Sequence, residues 1–316
     1  MKKILTVTLN PAVDKTYTTH NMIVGHVNRM RTTENIAGGK GVNVTKILRQ
    51  YGCEVAATGF LGGYSGRFIA EELERKGAEC RFVQTAEETR SNMNIIADDG
   101  YVTEILEPGP KITEEELVRF MEQYEKLLDE CGLVILSGSV ARGIQPDIYA
   151  ELIRLAAVKQ VPVYLDSSGE SLKLGIRTES GAKPDLIKPN WKELEYIMGH
   201  RIRGREEIIE AAGFLHREGI LRVIVSMGSK GLISVTGDGV YFAKAEGIRA
   251  VNTVGCGDSV VASYAIAAVK GESEEQAIRR ACAVSAANAT TIESASIPLE
   301  TAEALWNKII VEKISG

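Results

Sequence analysis

Two short stretches hold the residues best suited to chemistry. "NTVGCGDS" (252–259) places Gly255, Cys256 and Gly257 directly before Asp258, at what reads as the start of a helix. A helix start exposes unpaired N–H groups and the positive end of the macrodipole, so it attracts anions. Glycine removes the side chain that would keep an anion's oxygens away from those groups. The stretch therefore predicts a cradle for negative charge with a carboxylate in the first turn. Asp258 as a plain helix cap, with glycines serving turn geometry, fits this motif equally well. "AGGKGVNV" (37–44) is a second glycine-led helix start, carrying Gly38, Gly39, Lys40 and Asn43. It is neither a Walker A loop nor a G-x-G-x-x-G fingerprint, and alone it reads as a turn with an exposed lysine. Taken together, a cation at one start and a carboxylate at the other suit a phosphorylated ligand facing a phosphoryl donor.

Elements able to hold such groups alternate along the chain. "ILTVTL" (4–9), "EVAATGFLG" (54–62), "LVILSGS" (133–139), "VPVYLDSSG" (161–169), "DLIKPN" (185–190) and "RVIVSMG" (222–228) read as buried strands. Between them "VNVTKILRQYG", "RFIAEELERKG", "TEEELVRFMEQYEKLLDECG", "DIYAELIRLAAVK" and "REEIIEAAGFLHREG" carry apolar residues at helical spacing, several stopping at glycine. Such alternation predicts an α/β fold with a mostly parallel sheet and helices on both faces. Residues 14–36 and 91–106 break the rhythm as extended strands, the second a hairpin turning at Asp99-Gly100. They form either a small second sheet, a lid, or extra edge strands of the main one. "GLISVTGDGVYFA" (231–243) is a further hairpin. With no linker or repeat, residues 1–316 read as one domain.

Composition narrows the class. At 316 residues with 44% hydrophobic and 25% charged residues, the chain can bury a sizeable core as a soluble globular protein. A net charge of −5 and a pI near 5.6 argue against nucleic acid as the partner. The five cysteines are scattered, without a Cys-x-x-Cys pair, as reduced thiols of a cytoplasmic protein would be. Four histidines show no metal-ligand spacing. No apolar run approaches membrane-spanning length, and the N-terminal run is too short for a signal peptide.

"AGGKGVN" near the front and "NTVGCGDS" near the end resemble the two signatures of the ribokinase-like (PfkB) sugar kinases. "KPNWKEL" (188–194) is similar to the family's Asn-x-x-Glu motif, here Asn190 and Glu193, and "SMGSKG" (226–231) to its nucleotide-binding strand end. The resemblance runs over essentially the whole chain, in the family's order. "TLNPAVD" (8–14), "ETR" (88–90), "TEILEPGP" (103–110) and "LSGSV" (136–140) resemble the branch of 1-phosphofructokinases and tagatose-6-phosphate kinases. Cys256 departs from the family, which usually has alanine there; backbone N–H groups would tolerate it, and the thiol becomes a target for oxidants or alkylating agents.

The resemblance implies a ribokinase-like three-layer α/β/α fold with a β-sheet lid, and MgATP-dependent phosphorylation of a ketohexose phosphate. Fructose 1-phosphate is the leading acceptor; tagatose 6-phosphate or fructose 6-phosphate is the alternative, and a non-catalytic sugar-phosphate sensor is the rival of another class. It implies Asp258 as base and the N–H groups of Gly255, Cys256 and Gly257 as anion hole. Asp14, Gly38, Gly39, Asn43 and Ser139 would hold the sugar, and Lys40, Arg90 and Arg29 its phosphate. Lys188, Asn190, Ser226, Gly228, Ser229, Lys230 and Gly231 would surround the nucleotide's phosphates and ribose, and Val251, Cys282 and Ala286 its adenine. Glu193 would orient Mg²⁺ through water, with Asp166 a second candidate that helix capping explains equally well. The lid offers an edge through which a homodimer can form.

Overall fold

The apolar runs of the sequence become the strands of one wide sheet in a computed structural model, which describes residues 2–177 and 181–315. In chain order the strands are β1 (Lys3–Thr8), β2 (Ala12–Thr19), β3 (Thr32–Gly38), β4 (Val55–Leu61), β5 (Glu79–Gln84), β6 (Arg90–Ala97) and β7 (Val102–Leu106). There follow β8 (Cys131–Ser137), β9 (Val163–Asp166), β10 (Leu186–Ile187), β11 (Arg222–Ser226), β12 (Leu232–Thr236), β13 (Gly239–Lys244) and β14 (Ile310–Ser315). The helices are α1 (Lys40–Gln50), α2 (Gly63–Arg75), α3 (Glu114–Leu128), α4 (Ile148–Val158), α5 (Gly169–Ile176), α6 (Trp191–Met198), α7 (Gly204–Arg217), α8 (Cys256–Lys270), α9 (Glu274–Ala289) and α10 (Leu299–Trp306).

The large sheet runs β14-β13-β12-β11-β10-β9-β8-β1-β4-β5. From β5 to β11 neighbouring strands are parallel, and β12 to β14 add an antiparallel edge. Every residue of β4 and β9 is buried, as parallel strands covered on both faces require. On one side α8 is buried from Asp258 to Ala267; its alanines and serines let α1 and α9 pack close beside it. Among the described residues no helix is long and apolar enough to cross a membrane.

A second sheet, β3-β2-β6-β7, is the lid. The hairpin of β6 and β7 forms where Asp99-Gly100 predicts it. The 14–36 segment is not continuous strand: residues 20–31 loop out between β2 and β3. There Asn28 accepts from the Ile23 N–H and donates to the Ile23 and His26 carbonyls, closing a local turn that competes with strand pairing. Every residue of β7 is exposed, including Val102, Ile105 and Leu106.

Candidate active site

The parallel strands deliver their chemistry at one edge. Beyond their carboxyl ends lie Asn10 (after β1), Ser139 (after β8), Asp166 (closing β9), Lys188 and Asn190 (after β10) and Ser226 (closing β11). This is where open α/β sheets bind ligands. Two helix starts complete the site. Gly39, at φ 100°, precedes α1, and Gly255, at φ 80°, precedes α8; both angles favour glycine. Asn43 in the first turn of α1 donates its Nδ2–H to Asp258 Oδ2 at 2.9 Å.

Asp258 does not cap its helix: Gly255 is the cap residue and no side chain serves there. Burial, then the neighbouring Asp166 charge, pushes the Asp258 carboxyl up to about 6, against the pull of Lys40, Asn43 and Lys188. Nor does Asp166 cap α5. Its Oδ1 pairs with Lys40 Nζ at 3.2 Å and Lys188 Nζ at 3.4 Å. Burial opposes its charge, yet Lys188 and Lys40 hold it below the usual carboxylate range. Burial likewise opposes the Lys40 charge, but Asp166 and Asp258 outweigh it and keep that ammonium protonated. Lys188 Nζ also lies 3.2 Å from where a Cβ on Gly257 would stand, so a buried cation borders the start of α8. The expected anion hole is narrower than three amides. The Cys256 N–H turns back to the Thr253 carbonyl at 3.3 Å, whereas the Gly255 and Gly257 amides have no acceptor among the described residues.

The lid supplies another cluster. In the β2–β6 register Asp14 faces Asn92, whose Nδ2–H donates to Asp14 Oδ1 at 2.8 Å. Burial pushes the Asp14 carboxyl up, while the Asn92 bond, Lys46 and Arg90 pull against it. Gly38 backs onto the same group: an added Cβ would stand 2.0 Å from Asp14 Oδ2. Arg90 donates to the Glu107 carbonyl at 3.0 Å and the Asn10 carbonyl at 3.1 Å. No carboxylate forms an ion pair with it among the described residues; burial opposes its cation, and the Asp14 and Glu107 charges favour it. Asn10 Nδ2 in turn reaches Ser139 Oγ at 3.3 Å. Arg29 is not joined to this cluster; it lies exposed in the 20–31 loop.

On the other side of Gly257 opens a cleft of about 730 Å³. Asn190, Ser226, Gly228, Ser229 and Gly231 line one wall, and Cys256, Gly257, Cys282 and Ala286 the other. Val251 is not on these walls: it is 60% exposed and its N–H is tied to the Ala289 carbonyl at 2.7 Å. Ala250 and Thr253 line the cleft in its place. Lys230 also stands off the walls, its Nζ 5.2 Å over the Trp191 ring. Asn190 and Glu193 form a capping box at the start of α6: Glu193 N–H to Asn190 Oδ1 at 2.9 Å and Asn190 N–H to Glu193 Oε2 at 2.8 Å. The motif read as a ligand signature is thus also a helix signal. Burial, ahead of all else, pushes the Cys256 thiol up, against the expectation of a reactive thiol.

Buried polar atoms without a partner gather at this site. Among the described residues they are Asn10 Oδ1, Asn43 Oδ1, Arg90 Nε, Asn92 Oδ1, Ser137 Oγ and Asp166 Oδ2, with Arg205 Nε alone elsewhere. Native interiors rarely leave such groups unmade, so their concentration marks a place for a polar ligand. Asn10, Asn92 and Ser137 escaped the sequence reading. Asn10 carried a signal, as the polar residue that breaks a buried strand before proline; Asn92 did not, because its role depends on lid register.

Comparison with known proteins agrees with this geometry. A model of the pfkB family of carbohydrate kinases matches residues 7–302. A Staphylococcus aureus protein with a provisional phosphofructokinase assignment is 30% identical, with 99% of each chain covered and a TM-score of 0.85. A Thermotoga maritima protein provisionally assigned as a 1-phosphofructokinase is 28% identical over 99% of each chain, with a TM-score of 0.89. The tetrameric inhibited form of Escherichia coli phosphofructokinase-2 is 25% identical, covering 97% of this chain and 99% of its own, with a TM-score of 0.88. The chain belongs to the pfkB family of carbohydrate kinases and is an ATP-dependent sugar kinase.

Proposed function

We propose that this kinase phosphorylates fructose 1-phosphate to fructose 1,6-bisphosphate, as one kinase unit working in the cytoplasm. The observation that carries the reading is the buried Asp258 carboxylate in the first turn of α8, held by Asn43 and one residue beyond Gly257, which lines the cleft. The sugar hydroxyl attacks the γ-phosphorus in line, its proton passes to Asp258, and the bond to the β-phosphate oxygen breaks to leave ADP. A base poised near 6 is ionised at neutral pH yet basic enough to accept a proton. The Gly255 and Gly257 amides face the charge spread over the transferring oxygens, and Lys188 adds a cation beside them.

Asp14, Asn43 and Ser139, with the close-packed Gly38–Gly39 backbone, hold the sugar. Asn43 Oδ1, left without a partner beside Asp258, is an acceptor a sugar hydroxyl can use. Arg90, a part-buried cation outside any ion pair among the described residues, takes the existing phosphate, joined by Lys40; Arg29 reaches it only if the 20–31 loop folds inward. Ser226, Gly228, Ser229 and Gly231 follow the nucleotide phosphates, and Cys282 and Ala286 the base. The donor set fits Mg²⁺. Asp166 Oδ2 is a buried carboxylate oxygen without a partner, Glu193 keeps one oxygen outside its capping bond, and no all-protein cage exists among the described residues. Mg²⁺ is usually held by one or two carboxylates, waters and substrate phosphates. When bound it would neutralise charge on the phosphates.

The acceptor reading rests on "TLNPAVD", "ETR" and "TEILEPGP", and on likeness to the provisional 1-phosphofructokinase. A coupled ADP-release assay across fructose 1-phosphate, tagatose 6-phosphate, fructose 6-phosphate, ribose and adenosine tests it. The highest kcat/KM falls to fructose 1-phosphate; preference for an unphosphorylated sugar overturns the branch, and no turnover with any revives a sensor. The exposed apolar strand β7 supports a lid-mediated homodimer. Sedimentation of Leu106→Glu against wild type reads that association.

A further inference from the structure

Lys46 has no part in the roles above, yet it is among the most deeply buried side chains of the chain, 1% exposed. A buried ammonium is costly unless compensated; burial pushes this one down, the charges of Glu72, Glu293 and Asp14 oppose that, and none of them forms an ion pair with it among the described residues. Its Nζ donates instead to two main-chain carbonyls remote from each other in sequence, Ala37 at 2.9 Å and Ser294 at 3.1 Å. Either carbonyl is one step from a working part of the site.

Ala37 is the second-last residue of lid strand β3. Its N–H is taken by Glu72 Oε2 of α2 at 2.8 Å, so the residue is gripped from both sides by buried ionisable groups. Gly38 follows it, backed against Asp14. Ser294 precedes Ala295, which holds a φ of 58°, strained for a residue with a Cβ. Ala295 donates to Asn288 Oδ1 at 2.8 Å and accepts from Gln50 Nε2 at 2.8 Å. Asn288 Nδ2 then donates to the Val254 carbonyl at 2.8 Å. The Ala295 nitrogen stands 3.2 Å from where a Cβ on Gly255 would lie. Residues 294–295 are therefore the back wall of the turn carrying the phosphoryl-binding amides.

We propose that Lys46 is a positioning residue whose ammonium ties the end of the lid strand to the wall behind the Val254–Gly257 turn, so that filling the sugar side prepares the phosphoryl-transfer side. The proposal rests on the reading that the sugar sits beside Asp14 and Gly38. Coupling between two sites through discrete hydrogen bonds appears as reciprocal gains in affinity.

Calorimetry of a non-hydrolysable ATP analogue with Mg²⁺, with and without fructose 1-phosphate, reads the coupling. In wild type the sugar phosphate tightens the analogue, within the roughly 5- to 150-fold range usual for such coupling. Lys46→Met abolishes that gain and lowers kcat about a hundredfold, while sugar-phosphate affinity alone stays within about threefold; Lys46→Arg restores part of both. A folded Lys46→Met with coupling intact overturns the proposal, as does wild type without coupling. Should Lys46→Met not fold, hydrogen exchange on wild type decides: fructose 1-phosphate alone slows exchange at Ser294 and Ala295. Protection of β2, β3 and α1 without those residues sinks the role of Lys46 alone. Sugar phosphate that protects none of these segments sinks the substrate-site reading with it.

Discussion

Asn43 and Asp258, 215 positions apart, meet through a single 2.9 Å hydrogen bond that joins the first turns of α1 and α8. The carboxylate so fixed is also disfavoured in its charged form, since burial and Asp166 push it up to about 6 from an ordinary 3.8. A carboxyl raised in the folded state contributes stability that is full below its unfolded value and is lost as pH rises through 6. At pH 7 to 8 the ionised Asp258, the form proposed to act as base, therefore costs stability. Asp258→Asn loses about two to four powers of ten in kcat yet melts roughly 2 °C higher at pH 7.5. For wild type, log(kcat/KM) falls with unit slope below about pH 6. Calorimetric melting with unchanged or lower Tm for Asp258→Asn contradicts this account.

Asp166 offers an independent handle on the same carboxyl. Its charge helps raise Asp258 and is itself held by Lys188 and Lys40. Asp166→Asn removes one of the two raising influences, so the acid limb of the pH–rate profile shifts below 6. It also strands the buried Lys188 ammonium, which costs about 3–5 kcal/mol, and takes one partner from the part-exposed Lys40. Urea unfolding at pH 7 measures the loss, and residual activity against pH measures the limb. A limb that stays at 6 means burial alone sets the Asp258 value.

Much of this arrangement was legible in the sequence because it depends on local rules. The β-branched runs of β1, β4, β8 and β11, the Asp99-Gly100 hairpin and the two glycine-led helix starts all follow from periodicity and turn chemistry. Where tertiary contacts decide, the sequence was silent. The Asp14–Asn92 bond needs the β2–β6 register, the Asp166–Lys188 pair needs adjacent parallel strands, and the loop at 20–31 is closed by Asn28. The resemblance implies Val251 as an adenine contact, but the chain there turns it outward and presents Ala250 and Thr253 to the cleft.

Arg90 separates ground-state binding from chemistry. Two of its nitrogens are fixed by the Glu107 and Asn10 carbonyls, and its Nε is buried without a partner. A pre-set cation that meets a non-reacting phosphate binds ground and transition states alike, which affects KM more than kcat. Arg90→Ala raises the KM for fructose 1-phosphate about ten- to a hundredfold with kcat within about threefold. Steady-state kinetics showing equal losses in kcat and kcat/KM would assign Arg90 to the transferring group instead.

Cys256 stands between Gly255 and Gly257, whose amides are proposed to bind the phosphoryl group, yet its environment argues against a redox role. The thiol donates to the Ser285 carbonyl at 3.5 Å and accepts from Asn288 Nδ2 at 3.4 Å. Burial raises its pKa, and the Asp258 charge adds to that, so little thiolate exists at neutral pH. Iodoacetamide at pH 7.5 therefore labels Cys256 on the order of tenfold more slowly than free cysteine, and bound ATP slows it further because the residue lines the cleft. On the proposal that main-chain N–H groups rather than the sulfur act at this turn, Cys256→Ala keeps kcat within about threefold. Peptide mass spectrometry of the labelled protein reads the first outcome and the ADP-release assay the second. Rapid labelling, or an alanine variant that loses most turnover, would make the sulfur itself a working group.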